Sequence, residues 1–308
     1  YKKRTEHLNK NFRDKRKDLT VLLNEDLRKN IKERLKDYWR CANLPYQWIS
    51  PILGILSKYY YDEDLAVKEI RKKFPSIPNK NSLDYSKKLE DFRRIKVKNL
   101  AKRIKKDVSG ELIADVGGRT DDFVEQVLLL KKDIKKAYVT DLCSFTTRSR
   151  NPKINFVVQP SSIKMPFAEK TINTIILSMV LHHLRKKQQK EIIKNLISCL
   201  KKKGRIILIE DTYPMKTSFD EYDKITQEFL KFKSSDKKKI LYFYDWFGNR
   251  LMRNRDNISL FYNYKTMEKW KELFEWYGMK QIKSEFVKWD RINPSIFPPK
   301  AIIVFQKR

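Results

Sequence analysis

Residues 111–123 read Glu-Leu-Ile-Ala-Asp-Val-Gly-Gly-Arg-Thr-Asp-Asp-Phe: a short apolar run holding one acid, then paired glycines, then the opening of a helical pattern. A strand-length run that ends in a glycine turn and feeds a helix begins a βαβ unit around a nucleotide-like ligand. This commits the chain to an α/β domain, because parallel neighbours can be joined only through a crossover.

The residues that follow keep to that plan. A helix is expected over Asp121 to Leu130, then strands over Ala137 to Thr140, closing on Asp141, and over Ile154 to Val158. A strand from Thr171 to Leu177, a helix from Lys187 to Leu200, a Lys201-Lys202-Lys203-Gly204 turn and a strand from Arg205 to Ile209 come next. Strands alternating with helices at this spacing predict a parallel sheet with right-handed crossovers. A basic, aromatic and helical insertion occupies about 214–262. Helix Thr266 to Tyr277 and strands Met279 to Val287 and Ala301 to Gln306 end the chain, the last two suited to an antiparallel hairpin joined by the loop Trp289 to Lys300.

What precedes the organising stretch reads as a basic helical extension over 1–106, set against a second domain over 107–308. From Thr5 to Arg40 the apolar residues Leu8, Phe12, Leu19, Leu22, Leu23, Leu27, Ile31, Leu35 and Trp39 recur mostly three or four apart, a helix with a narrow stripe. Short helices are expected across the aromatic, proline-broken 41–61, with further helices from Asp64 to Phe74 and from Ser82 to about Lys106.

Charge is the second constraint. The chain of 308 residues carries 69 Lys+Arg against 38 Asp+Glu, a formal charge of +31. Such an excess attracts polyanions through counterion release, so RNA, DNA or an anionic surface is the implied neighbour. Cys41, Cys143 and Cys199 are odd in number and scattered, with no histidine cluster nearby. That points to an intracellular, reducing compartment, the cytoplasm or mitochondrial matrix, and to no metal site. No apolar run approaches the roughly 18–20 residues of a membrane span. The sequence opens on Tyr1 rather than Met, so an initiating or targeting segment is expected upstream. No pattern in it sets an oligomeric state.

Six landmarks in order carry a family resemblance. They are Asp115-Val116-Gly117-Gly118 with Thr120 and Asp122; Asp141; Ser161-Ser162-Ile163-Lys164-Met165-Pro166-Phe167; Ile172 to Leu177 running into Val180-Leu181-His182-His183-Leu184; Lys203-Gly204 with Arg205 to Asp211; and Trp270-Lys271-Glu272-Leu273-Phe274 with Gly278-Met279. Together they resemble a class I S-adenosylmethionine-dependent methyltransferase of the broad group that includes the ubiquinone and menaquinone C-methyltransferases. The resemblance implies a Rossmann-like, seven-stranded, mostly parallel sheet with an antiparallel C-terminal hairpin. It also implies S-adenosylmethionine as cofactor, held by Asp115, Gly117 and Gly118 at the turn, by Asp141 and Leu142 at the ribose, by Ser161, Ser162 and Ile163 at the adenine, and by Ser178 and Met179.

The departures are specific. Arg119 and Asp121 stand where the family has its second and third glycines, Ser161 or Ser162 replaces the adenine-loop acid, and Asn173 replaces an acid of the fourth strand. Side chains at those turn positions are expected to narrow or fill the pocket, since glycine there lets the backbone approach the ligand. His183 is the candidate proton acceptor and Asp211 a candidate substrate-orienting acid, against the plainer reading of a helix cap and a salt bridge. Tyr213, Tyr242, Tyr244, Trp246 and Phe247 interleave with Lys237, Lys238, Lys239, Arg250, Arg253 and Arg255. Such a segment can stack bases and neutralise phosphates, or it can form an apolar lid over a lipid-like acceptor. Three readings follow: an RNA-associated methyltransferase; a methyltransferase fold that has lost its cofactor and anchors to a ribosomal particle, including a mitochondrial one; and a methyltransferase acting on a quinone or other small molecule.

Overall fold

The computed structural model describes residues 18–41, 44–75, 77, 83–143, 149–215, 222–255, 258–287 and 299–308, the side chains of 41, 83–86, 88 and 89 apart. The expected helix start at Thr5 and most of the loop from Trp289 to Lys300 lie outside these residues. The chain divides into two units, 1–89 with 231–262 and 90–230 with 263–308. The first break thus falls at 89/90, within a helix, where composition suggested 106/107. Part of the insertion joins the N-terminal residues.

In the first unit a 3-10 turn, Asp18–Leu23, precedes helix α1, Glu25–Cys41. One continuous N-terminal helix was expected; the chain breaks at Asn24, whose Oδ1 accepts the Leu27 N–H at 3.0 Å and so caps a new helix. Leu27, Ile31, Leu35 and Trp39, four residues apart, are all buried. Helix α2, Ile49–Lys58, tolerates Pro51 because the first turn has no intrahelical use for that N–H. Helix α3, Glu63–Lys73, is capped by Asp62, which accepts the Leu65 N–H at 3.0 Å. Residues 231–262 belong here through packing: Phe247 lies 5.5 Å from Trp39 and 5.6 Å from Phe243, ring centre to ring centre. The Tyr242 hydroxyl meets Glu63 at 3.0 Å.

The second unit holds a seven-stranded sheet in the order β3-β2-β1-β4-β5-β7-β6. Its strands are β1 Leu112–Val116, β2 Lys136–Asp141, β3 Ile154–Val158, β4 Ile172–Ser178, β5 Leu200–Asp211, β6 Met279–Val287 and β7 Lys300–Lys307. β1 to β5 pair in parallel, while β7 runs antiparallel between β5 and β6. The expected hairpin is therefore present, with its last strand inserted toward the centre. β5 starts at Leu200, five residues before the expected Arg205, and reaches its steady register with β4 only after an irregularity between Ile172 and Thr174.

Strands buried on both faces need continuous apolar runs, which Ile175-Ile176-Leu177, Ile206 to Ile209 and Ile302 to Phe305 supply. Helices α4 (Leu83–Ile104), α5 (Asp122–Leu130), α6 (Lys186–Cys199) and α9 (Met267–Trp276) accompany the sheet, while α7 (Lys224–Lys231) and α8 (Ser234–Trp246) belong to the insertion. Ile192, Ile193 and Leu196 of α6 and Trp270 and Phe274 of α9 join one core with β1, β4, β5 and β7. Phe274 stacks on Phe305 at 4.3 Å and 11°. Truncating Phe305 to alanine removes that stack and leaves a cavity, so urea unfolding of the Phe305→Ala variant is expected to show a loss of about 3–5 kcal/mol.

Candidate cofactor and acceptor site

The site begins with two missing side chains at the end of β1. Val116 pairs with Thr140 on one side and Leu177 on the other, so the next residue, Gly117, reaches the tips of β2 and β4 together. Its N–H donates to Thr140 O at 2.8 Å, and its φ of +79° is the left-handed region where a side chain is strained. A Cβ there would sit 2.6 Å from a Val180 methyl. At Gly118 a Cβ would lie 2.4 Å from Oδ2 of Asp115, so the carboxylate fills the space glycine leaves.

Asp115 is buried, and burial, then the Asp141 carboxylate nearby, pushes it up to about 7. Asp141 is half-buried at the tip of β2, its Oδ1 accepting the Cys143 N–H at 3.1 Å. The glycine bend and the acid expected to share a crevice therefore do stand at adjacent strand tips. Leu142, beside Asp141, is exposed.

The two substitutions in the glycine pattern do not behave alike, and neither is buried. Arg119 is exposed, while Asp121 sits half-buried at the cap of α5, its carbonyl accepting the Glu125 N–H. The turn is tied from outside: Arg93 of α4 pairs with Asp122 at 2.5 Å and bonds Thr120, whose hydroxyl donates to Asp122 at 2.7 Å. No local pattern singles out Arg93; only its place on a helix adjoining the turn does. Asn173 lies at the opposite end of β4, its Oδ1 accepting the Leu112 N–H at 3.1 Å, so its difference from the family acid concerns strand pairing.

The adenine-loop serines are already engaged. Ser161 Oγ accepts from the N–H groups of Ile163 and Lys164 at 3.4 and 3.1 Å. With both lone pairs so used, it keeps only an O–H to donate, which leaves Ser162, of the two serines expected at the adenine, as the one with an acceptor to spare. Ser162 Oγ accepts one bond, from Gln188 at 3.1 Å, and retains a lone pair. Ile163 is half-buried, its carbonyl held by Asn195 at 2.7 Å.

Across the crevice, Ser178 ends β4 and Met179 follows in the left-handed region, φ 61°, its N–H on Ile209 O at 2.8 Å. Glu210, fully buried, accepts the Val180 and Leu181 N–H groups at 3.1 and 2.6 Å and bonds Nδ1 of buried His182. The His182 ring stacks on Tyr264 at 5.2 Å and meets half-buried His183 at 4.0 Å. Asp211 does not face solvent. It is buried against Lys300, itself wholly buried, at 3.0 Å, and its Oδ2 has no hydrogen-bond partner among the described residues. Burial raises its pKa, opposed by Lys300, His182 and Lys96.

The basic aromatic segment is not a stacking platform. Tyr213, Tyr242, Tyr244, Trp246 and Phe247 are buried, which removes both the base-stacking and the lipid-lid uses expected of them. Lys237 is buried, and burial pushes its ammonium down. Lys239 is 3.7 Å from Asp236. Arg250 donates to the carbonyls of Arg255 and of Ile258, the latter at 2.6 Å. Lys238, Arg253 and Arg255 are half-buried.

A Rossmann-like parallel sheet closed by an inserted antiparallel strand, with a glycine turn and an acid at adjacent carboxyl tips, defines the class I S-adenosylmethionine-dependent methyltransferase fold. Residues 117–208 match the family described as "Methyltransferase domain", so the second unit carries a methyltransferase domain, a class whose cofactor is S-adenosylmethionine. No curated protein matches the sequence at a significant level. Among solved structures it is similar to a chain of the Haloferax volcanii complex between the Trm112 methyltransferase activator and a methyltransferase. The identity there is 11%, over 71% of this chain and 92% of that one, with a TM-score of 0.48. A methyltransferase from Archaeoglobus fulgidus gives 16% over 68% and 94%, TM-score 0.44. CalO1, a methyltransferase of calicheamicin biosynthesis solved in its S-adenosylhomocysteine-bound form, gives 15% over 82% and 60%, TM-score 0.47.

The buried Asp115 predicts a pH signature. Between about pH 4 and 7 the unfolded chain has released this proton and the folded one keeps it, so Asp115's contribution is present at low pH and drains away as pH rises through 7. Asp115→Asn should therefore gain stability over the parent on going from about pH 5 to 8, by on the order of a few kcal/mol in urea titrations.

Proposed function

We propose that this protein is an active S-adenosylmethionine-dependent methyltransferase whose acceptor is carried on RNA. The observation that carries the first half is the exposed turn: Gly117, left-handed at the tip of β1, is exposed, and Arg119, which departs from the glycine pattern, is exposed as well. Those residues fit the cofactor. Gly117 and Gly118 would bring backbone against its methionine part, Asp141 would take the ribose hydroxyls, and Ser162 rather than Ser161 would accept from the adenine.

The bound cofactor would supply a sulfonium-activated methyl, so the chain's own tasks are to orient the acceptor and exclude water. Glu210 fixes His182 and the exit of β4, and His183, tilted against that ring at 4.0 Å, is the group suited to receive an acceptor proton. Asp211 and Lys300 act as a buried positioning pair within electrostatic reach of His182.

The charge of +31 supports an RNA acceptor, and so does α6, which turns Lys186, Lys187, Lys190 and Lys194 outward in the methyltransferase unit. Exposed Cys143 and buried Cys199, both free thiols, fit a reducing compartment, cytoplasm or mitochondrial matrix. Among the described residues, no helix is long and apolar enough to cross a membrane. A second reading, an RNA-anchored fold without catalysis in a ribonucleoprotein, draws support from the occupied lone pairs of Ser161. For a quinone acceptor the described aromatic segment offers no exposed rings.

Calorimetry with S-adenosylhomocysteine separates the two. The parent should bind, Asp141→Ala should weaken binding roughly 10- to 150-fold by removing charge-assisted bonds, and Arg119→Gly should leave it within about 2-fold. Absence of heat with the parent would leave only the anchoring role.

A further inference from the structure

The cations of the first unit that stand open lie outside the segment the sequence favoured. A groove of about 380 Å³ lies between α2 and α3, lined by Ile55, Lys58, Tyr59, Glu69, Lys72 and Lys73. Lys58, Lys72 and Lys73 are exposed, and among the described residues no carboxylate pairs with any of them. Three ammoniums held in one groove repel each other, and a polyanion relieves that repulsion.

The groove also has aromatic surface, unlike the buried rings of 242–247. Lys58 Nζ sits 5.0 Å over the Tyr59 ring. Tyr61, outside the lining but next to it in the chain, meets Tyr60 edge-on at 5.6 Å and the lining Tyr59 at 6.5 Å, and remains 46% exposed. Exposed tyrosine near lysines that have no carboxylate partner among the described residues is the pairing that binds a strand by stacking its bases and neutralising its phosphates. The volume falls in the range of about 300–1,000 Å³ typical of small-ligand sites, which suits a single nucleotide and not a duplex.

Glu69 selects among polyanions. A carboxylate in this wall repels phosphate and acidic peptide alike unless the ligand also brings a donor. The ribose 2′-hydroxyl is such a donor, present in RNA and missing from DNA.

We propose that the α2–α3 groove is a docking site for single-stranded RNA, with phosphates on Lys58, Lys72 and Lys73, a base on Tyr61 and a 2′-hydroxyl on Glu69. It deepens the RNA-acceptor reading and rests on that reading for the identity of the polyanion. No residue of the cofactor site takes part.

The test is fluorescence anisotropy with the full chain and a labelled oligouridylate of about twelve nucleotides, a length within the usual range for single-strand sites. Replacing Lys58, Lys72 and Lys73 together by alanine should weaken binding and flatten the log–log salt dependence by about 2. Tyr61→Ala should cost roughly 5- to 150-fold while Tyr61→Phe keeps the affinity, since the ring face and not the hydroxyl stacks. Oligothymidylate should bind more weakly than oligouridylate, and Glu69→Gln should narrow that gap.

S-adenosylhomocysteine calorimetry on the same variants should be unchanged, which keeps the two readings apart, and a parent-like urea unfolding midpoint and circular dichroism spectrum show the first unit folded. A parent that binds cofactor but no oligouridylate overturns the groove alone. Parent-like RNA affinity and salt slope in the triple-lysine variant do so too, as does equal competition by polyglutamate or equal affinity for oligothymidylate.

Discussion

Two consecutive positions without side chains, 117 and 118, govern the second unit. The first must turn left-handed beneath Val180, and the second must clear a carboxylate buried directly under it. These demands are independent, one on backbone dihedral and one on volume, and only glycine meets both. They also explain why Arg119 and Asp121 are compatible with the fold. Both come after the chain has passed the crowded point, one at the surface and the other at the cap of α5.

The opposite wall depends on Glu210. Its carboxylate gathers two backbone N–H groups and the His182 ring, in a place where any one of them left alone would carry the cost of a buried unpaired group. That gathering holds the exit of β4 in a path that includes a left-handed methionine, a conformation costing about 1–2 kcal/mol in a non-glycine residue. Strain persists where surroundings over-determine it, and here the determinants are the Met179 bond to Ile209 and the carboxylate one residue further along β5. The result is a crevice whose two sides are each fixed by a buried acid, Asp115 under the turn and Glu210 under the β4 exit.

Much of this was legible in sequence, for identifiable reasons. The runs that became β1, β3, β4, β6 and β7 are strand-length and apolar or alternating, and Thr266 opens its helix as expected, whereas the caps at Asn24 and Asp62 went unread inside charged helical runs. The start of β5 was hidden because Lys201-Lys202-Lys203-Gly204 reads as a turn, although its backbone is extended for part of that length. The roles of Asp211, Ser161 and Asn173 were hidden for another reason. A carboxylate, a hydroxyl and an amide look the same in sequence whether they face a ligand or finish a local hydrogen bond. Only the partner decides, and for Asp211 the partner, Lys300, is 89 positions away.

The sharpest divergence is between two stretches that share one composition. Both 58–73 and 237–255 mix lysine and arginine with aromatic residues, and by count the second is the better candidate for nucleic acid. Their fates separate because aromatic residues on a helix are driven inward wherever a complementary apolar surface exists. For 237–255 the α1 stripe ending in Trp39 provides one, so the rings sink and their neighbouring cations are drawn onto backbone carbonyls. Tyr59 to Tyr61 lie where α2 has ended and no second stripe among the described residues covers them, so Tyr61 and the nearby ammoniums stay in water. A basic, aromatic composition therefore marks a binding surface only after the hydrophobic core has taken the rings it can bury, and what remains exposed together is the part available to a ligand.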